Sequence, residues 1–585
     1  MKAKMPEIVE VDQNRVEELL HTIEDRLPEE EAKVVTAIVK SYIFICGLLR
    51  STTRAHKHLL KILFGSKSEK TKDVLGNSKD ANSTSAPAAE VDAEPGTPES
   101  SSGDESEEAD TATAPNDATS NGTTKDSTTK DEPPPGHGRN GADAFTGATH
   151  EYVPHESLEP GSPCPECDGG TLYEFKPPGV VVHIVGGAPL SGNVYRLQKL
   201  RCNLCGTVFT AQAPVSGGSR VYDETAAAMI ALLRYGSGLP FHRLEVLQRN
   251  LGIPLPASTQ WDIVNSHVGR VTPVYRELVR QAAQGRLLHN DDTTARILAL
   301  MGKRKEKQKG NTARSVAEMG REDVPEDRTG IFTSGIVAVS NGHRIALFFT
   351  GRWHAGENLT FVLKQRAAQL AAPILMCDGL SRNLPKELEV ILSNCLAHGR
   401  RHFVDVVDDF PDECGFVLES LKVIYGNDAK ARQKNLSPEQ RLNFHQQHSS
   451  RTMDDLHAWL RRQLDDKLVE PNSGLGGAIK YMLERWDALT LFLREAGAPL
   501  DNNICERTLK KAILHRRNSL FYKTLYGGLV GDTYMSLIYT CELCDVNPLD
   551  YLVQLFSHAD EIERRPETWM PWNYRQNLAA AEKTA

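Results

Sequence analysis

The chain has 585 residues, 40% of them hydrophobic, enough for three or four domains with separate cores. It has no apolar stretch of ~18 residues or more and no apolar run beside a basic start, which argues against a membrane span and a signal peptide and leads us to expect a soluble intracellular protein. The net charge of −9 is uneven: residues 72–132 hold 15 Asp or Glu against 4 Lys. On the near-neutral remainder, the basic clusters Lys303–Lys309, Arg400-Arg401 and Lys510–Arg517 read either as phosphate contacts or as ordinary solvated faces.

Apolar residues at helical spacing (Val16, Leu19, Leu20, Ile23, then Val35, Ile38, Val39, Tyr42, Ile43), broken near Pro28, predict a helical hairpin or short coiled coil within residues 1–71. Residues 72–135 are rich in Ser, Thr, Asp, Glu, Ala and Pro with almost no large apolar side chains, so burial cannot offset the entropy of ordering them; they predict a disordered acidic linker.

Residues 136–215 contain two CxxC pairs, Cys164 with Cys167 and Cys202 with Cys205, separated by strand-like segments at Val180–Ile184 and Val194–Leu197. Eleven cysteines in so long a chain are too sparse for a disulfide scaffold, and two such knuckles predict a β-rich ribbon around a four-thiolate, structural Zn²⁺. Cys541 and Cys544 share the spacing but lie in a helical pattern without partner thiols, and read as core residues.

Residues 216–284 read as two or three helices. Leu251-Gly252-Ile253-Pro254 ends one, and Ser258 is the expected N-cap of the next, which carries Thr259, Gln260 and Asn265. This suits a helix-turn-helix set in a DNA groove, although such helix pairs are common in any helical domain.

From 285 to 530 the pattern changes to strand-length apolar segments, Arg286–Asn290, Gly335–Val339, Ile345–Thr350 and Pro373–Cys377, with a helical stretch over 356–370 before the last. The order suits an α/β, ribonuclease-H-like sheet with Asp291 and Asp378 each just past a strand. Helical spacing over 416–423, 453–464 and 478–495 predicts helices before Asp501-Asn502-Asn503-Ile504-Cys505-Glu506-Arg507, where Asp501 or Asn502 can cap a helix with Glu506 about one turn in. Carboxylates gathered in this way would hold two Mg²⁺ ions for phosphodiester chemistry. Three acids among 77 do not define a site by themselves, and the same residues read equally as two turn positions and a helix surface. Residues 531–585 predict a C-terminal helical region.

Ordered motifs decide between these readings. Leu63-Phe64-Gly65-Ser66-Lys67-Ser68-Glu69-Lys70, Gly136-His137-Gly138-Arg139, the paired CxxC, Leu239-Pro240 through Trp261, His289-Asn290-Asp291-Asp292-Thr293, Cys377-Asp378-Gly379, Cys395-Leu396-Ala397-His398-Gly399-Arg400-Arg401-His402-Phe403, Asp501 to Arg507, Arg516 to Phe521 and Asn547 to Leu552 together resemble the bacterial transposases of the insertion-sequence sixty-six family. The sequence departs from that pattern at Asn290 (Ala in the family), Asp292 (Glu) and Leu380 (Tyr).

The resemblance implies a DDE transposase in which Asp291, Asp378 and Glu506 are the catalytic acids, holding Mg²⁺ or Mn²⁺, with a helical insertion at about 405–498. Arg507, Lys510, Lys511, His398, Arg400 and Arg401 are then candidates for contacting DNA. It implies double-stranded DNA as partner, both the element's terminal inverted repeats and a target, and a homo-oligomer on DNA, with small accessory proteins of the element as further partners and no membrane. The protein would act in the bacterial cytoplasm, at the nucleoid when bound. Two rivals stay open: a non-catalytic DNA-binding derivative of a transposase, and a nuclease acting on RNA or hybrid strands.

Overall fold

The structure, a computed structural model, describes residues 221–301 and 328–582 continuously, together with much of 150–212 and residue 35. The helices expected in 1–71, the linker, Gly136–Arg139, Cys167, Cys202, Cys205 and the basic stretch Lys303–Lys309 lie outside the described residues. Residues 1–85 and 404–419 group as one unit, and residues 86–403 and 420–585 as another, which is described here. Among the described residues no helix is long and apolar enough to cross a membrane.

Strands β1 (Lys199–Arg201) and β2 (Val208–Thr210) pair antiparallel on either side of the second CxxC pair. Around the first pair, Pro163 bridges Thr171 and the Cys164 N–H donates to Gly170 O at 2.8 Å. The sequence places strands instead at Val180–Ile184 and Val194–Leu197, but Val181, Ile184 and Val194–Leu197 form none and are exposed. Among the described residues of 150–212 the pairings lie next to the two CxxC segments, Pro163 with Thr171 and β1 with β2.

Helix α1 (Glu224–Ala231) starts at Asp223, whose carboxylate accepts from Ala226 N–H at 2.9 Å. Next come α2 (Phe241–Asn250) and the long α3 (Ala257–Ala283). The expected cap at Ser258 is incorrect. The helix begins one residue earlier, after Pro256, and its first N–H (Ala257) donates to Glu245 of α2 at 3.1 Å. Gln260 is fully buried and donates to Phe241 O (3.1 Å) and Leu255 O (2.9 Å), so it ties the two helices together and faces no groove.

Behind α3 lies a five-stranded sheet. Strands β3 (Leu287–Thr294), β4 (Phe332–Ser340) and β5 (His343–Gly351) form an antiparallel meander. Asn341 and Gly342 make its tight turn, both at positive φ (50° and 82°), as a two-residue hairpin of this hand requires. On the far side of β3, β6 (Ile374–Cys377) and then β7 (Ile391–Asn394) add in parallel, giving the order β5-β4-β3-β6-β7. The crossover from β5 to β6 carries α4 (Ala355–Leu363).

Beyond β7 the chain is helical: α5 (Leu396–Val406), α6 (Pro411–Gln433), α7 (Pro438–His448), α8 (Ser450–Asp465), α9 (Gly474–Glu484), α10 (Asn503–Ser519), α11 (Leu525–Leu543) and α12 (Pro548–Ser557). Asp428 links α6 to α7 through Arg441 (2.7 Å) and the buried His445 (3.3 Å), and pairs with Arg432 of its own helix (3.2 Å). Burial alone would raise its pKa, but the His445 bond and the two arginines outweigh that and hold it at about 2.

Helices cover both faces of the sheet, which is why β4 and β5 read as continuous apolar runs. Ser334 of β4 accepts from Asn358 of α4 (2.8 Å), whereas its neighbour Gly335 faces α10. One hydrophobic cluster runs from Ala227 through the strands to Tyr574, across the domain limits expected at 284/285 and 530/531. Cys541 belongs to that cluster, while Cys544 is half-buried at the helix end.

The outer edge of β5 is closed by side chains one helical turn apart on α11. Thr540 Oγ1 accepts from Ala346 N–H (3.1 Å), Ser536 Oγ from Phe348 N–H (3.0 Å), and Asp532 from both Thr350 N–H and Thr350 Oγ1 (2.6 Å each). This satisfies an edge that would otherwise invite another strand. We expect Asp532→Ala to destabilise the protein by about 3 kcal/mol, since two buried donors lose a charged acceptor. Chemical denaturation should show the loss, and an unchanged midpoint would refute the role.

Candidate active site

Asp291 lies inside β3, opposite Gly335, and not just past the strand as the sequence suggests. The strand continues to Thr294 because Phe332–Gly335 of β4 supplies partners for Asp291–Thr294. Asp378 directly follows β6. In the parallel register His289 is level with Met376, and each acid lies two residues further on. Asp291, in β3, and Asp378, just past its neighbour β6, therefore lie at the same end of the sheet.

Asp378 is fixed from three directions. Its Oδ1 accepts from Asn383 Nδ2 (2.6 Å) and Leu380 N–H (3.1 Å), and its backbone carbonyl accepts from the Tyr481 hydroxyl (2.9 Å). Asn383 in turn accepts, through its carbonyl, a bond from Asn290 Nδ2 (2.7 Å), so β3 and the loop after β6 are linked beside the acids.

Glu506 reaches the same end of the sheet on α10. The helix is pinned at its start by Asn502, which is fully buried. Asn502 Oδ1 bonds His289 Nδ1 (3.0 Å), its Nδ2 donates to Asn290 O (3.0 Å), and its N–H donates to Cys395 Sγ (3.3 Å). Burial lowers the His289 pKa to about 4, leaving a neutral ring. With Asn502 so used, Asp501 caps the helix by accepting from Asn503 N–H (3.1 Å). The helix then passes close over β4: a Cβ on Gly335 would meet Leu509 at 3.0 Å, and Cys505 Sγ donates to Gly335 O (3.3 Å). At the other end Arg516 donates to Thr293 Oγ1 (3.2 Å), Thr294 Oγ1 (2.7 Å) and Thr294 O.

The electrostatics follow from this crowding. Burial raises the Asp291 pKa to about 7; the charges of Asp378, Asp292 and Glu506 push the same way, against one bond from the Asp292 N–H (2.7 Å). A carboxyl held this high, among other carboxylates, is suited to receiving a divalent cation, and the oxygen donors match Mg²⁺ or Mn²⁺. Asp292 is not part of that set. Its side chain is only 1% exposed and is paired with Arg382 (3.0 Å) and His354 (3.2 Å).

The basic candidates differ among themselves. Arg507 and Lys510 are exposed on α10, whereas Lys511 is paired with Glu542 (2.9 Å) and lies over the Tyr539 ring (5.5 Å). Arg400 and Arg401 are half-buried on α5. His398 Nδ1 faces Glu506 Oε1 at 3.8 Å. Cys395, which sequence reasoning did not single out, lies beside them; burial pushes its thiol up to about 11, with Asp501 and Glu506 adding to the effect and two N–H bonds opposing it. The available signal was its C-x-x-H spacing with His398.

Comparison with known proteins bears on the same region. A family model described as "Transposase IS66 family" matches residues 219–529. Three proteins of Sinorhizobium fredii (strain NBRC 101917 / NGR234) are similar, each described only as uncharacterized. Protein y4hP is 26% identical over 444 residues, 72% of this chain and 75% of that protein. Protein y4jD is 34% identical over 189 residues (32% and 36%), and y4qI is 27% identical over 372 residues (60% and 62%). The chain thus spans less than two thirds of the latter two. No solved structure matches it.

Proposed function

The chain belongs to the IS66 family of transposases, and on that premise we propose that it is an active DNA transposase with Asp291, Asp378 and Glu506 as its catalytic acids. The observation that carries this reading is that Asp291 in β3 and Asp378 just after β6 each lie two residues beyond one register pair of these adjacent parallel strands, while Glu506 is close enough to raise the Asp291 pKa. The sheet order, a three-stranded meander followed by two parallel strands, supports a ribonuclease-H-like core.

Asp291, Asp378 and Glu506 would hold divalent cations, which would supply the positive charge that an in-line phosphodiester displacement needs. The protein's own part is to fix the acids through Asn383, Asn502 and Tyr481, and to hold the DNA backbone with Arg507 and Lys510 beside Glu506. Hydrolysis at the element's end frees a 3′-hydroxyl, which attacks the target in the second step. Because two ends must be joined, the working form is a homo-oligomer on DNA. Cys164, Cys167, Cys202 and Cys205 would hold a structural Zn²⁺, a reading supported by the short pairings on either side of each CxxC in the sequence.

The test incubates the full chain with duplex DNA carrying the terminal repeats that flank its gene. We expect nicks at the repeat ends and joined products with Mg²⁺, and none with a chelator. Binding to the ends without cleavage in Mg²⁺ or Mn²⁺ would identify a non-catalytic derivative. Preferred cleavage of an RNA–DNA hybrid would identify a nuclease instead.

A further inference from the structure

Beside the three acids is a second set of donors. Cys395 directly follows β7, and its N–H bonds Cys377 O (3.0 Å). His398 is one turn later on α5, so the two side chains share a face of that turn. Opposite them is Glu506. One donor atom from each of the three residues lies within 4.8 Å of the others.

Two further observations point to a ligand. His398 Nδ1 and Glu506 Oε1 are both shielded from solvent and make no hydrogen bond among the described residues, although they face each other at 3.8 Å. That gap is too long for a hydrogen bond and close to the spacing of two ligands on one ion with bonds of about 2.0–2.2 Å. The sulfur is also prepared: Asn502 N–H donates to it at 3.3 Å, as outer groups do for metal-bound thiolates.

We propose that Cys395, His398 and Glu506 form a second cation site, selective for a borderline ion such as Zn²⁺. Mixed sulfur, nitrogen and oxygen donors favour such an ion over Mg²⁺, which prefers oxygen alone. Three protein ligands leave one position open, and the thiol proton passes to solvent as the ion binds. Glu506 has one carboxylate for two sites, so an ion here draws it from Asp291 and Asp378. Zinc then opposes Mg²⁺-dependent cleavage. Only this last consequence rests on the transposase reading; the binding does not.

The experiment uses full-length protein with its four-cysteine site filled by zinc, titrated with Co²⁺. About one further equivalent should bind, with a sulfur-to-cobalt absorption band and visible bands of low coordination number. The added absorption should vanish in His398→Ala and Cys395→Ser and persist in Asp291→Asn. Glu506 is partly exposed, so Glu506→Gln provides a variant that keeps the fold if the buried Cys395→Ser does not, and it should lose the visible bands as well. A cobalt spectrum identical in wild type, His398→Ala and Glu506→Gln, with melting curves unchanged, would overturn the proposal. Cobalt binding as expected in a chain that never cleaves DNA would refute the transposase reading and leave this site standing.

Discussion

Asp291→Asn should abolish Mg²⁺-dependent cleavage, by ~10²-fold or more, while making the metal-free protein more stable above pH 7. The two effects have one origin. The Asp291 pKa is raised to about 7, first by burial and then by the charges of Asp378, Asp292 and Glu506. The folded state therefore binds this proton more tightly than the unfolded chain, where a carboxyl titrates near ~3.9. The stability linked to the proton is complete below the unfolded value and is lost as pH rises through about 7. Asparagine never ionises, so its advantage should be absent below about pH 4, partial at pH 5.5 and full by pH 8, with each kcal/mol raising the melting temperature by about 2–4 °C in a domain of ~150–250 residues and by less in a larger one.

Added Mg²⁺ should reverse the order, because the cation relieves the repulsion only where the carboxylate is present. Its apparent affinity for the wild type should also weaken below pH 7, where a proton must first leave Asp291. Calorimetry at pH 5.5 and 8, with and without Mg²⁺, separates these effects. Equal melting temperatures for the two proteins at pH 8 without metal, or a full Mg²⁺ response in the variant, would rule out the arrangement.

Parts of this site were readable in the sequence because they follow from local pattern. The apolar run Pro373–Cys377 ends at a residue that must leave the sheet, so Asp378 was located to the position. The Asn-Gly pair at 341–342 between two apolar runs is a further local signal, for a tight hairpin, that the sequence reading above did not use. Other parts depend on residues distant in the chain. The polar end of β3, Asp291–Thr294, lacks the apolar pattern of the segment before it and is extended because β4 pairs with it. The cap of α3 comes from Glu245, twelve residues before it, and is not evident in a local search around Ser258. Asp292, beside Asp291 in the chain, is turned by its strand position to Arg382 and His354, opposite to its neighbour. Strand β7, only four residues long, carries too little pattern to stand out, although it delivers Cys395 and His398 to Glu506.

A single methyl group remote from the chemistry should have nearly as large an effect as loss of a ligand. Gly356 is in the first turn of α4, where an added Cβ would lie 2.2 Å from Leu384 O, 2.7 Å from Leu384 C and 2.8 Å from Arg382 O. All three are backbone atoms, so no side chain can rotate to make room. The segment they belong to must move, and it is the one that bonds Asp378 and the residues on either side of Asp291. Arg382 pairs with Asp292, Asn383 Nδ2 holds Asp378, and Asn383 O accepts from Asn290. Gly356→Ala should therefore destabilise the protein by roughly 1–3 kcal/mol through overpacking and lower the cleavage rate of the folded fraction by ~10²-fold, since displacement of a ligand by about 1 Å suffices for that loss. Gly477 of α9 provides the control. Nothing lies within 4 Å of its added Cβ, and alanine there should be neutral or stabilise the helix by about 0.5–1 kcal/mol. Denaturation midpoints and cleavage rates measured on both variants distinguish a specific strut from a general sensitivity to glycine replacement. If Gly356→Ala folds and cleaves as Gly477→Ala does, the loop after β6 does not position Asp378.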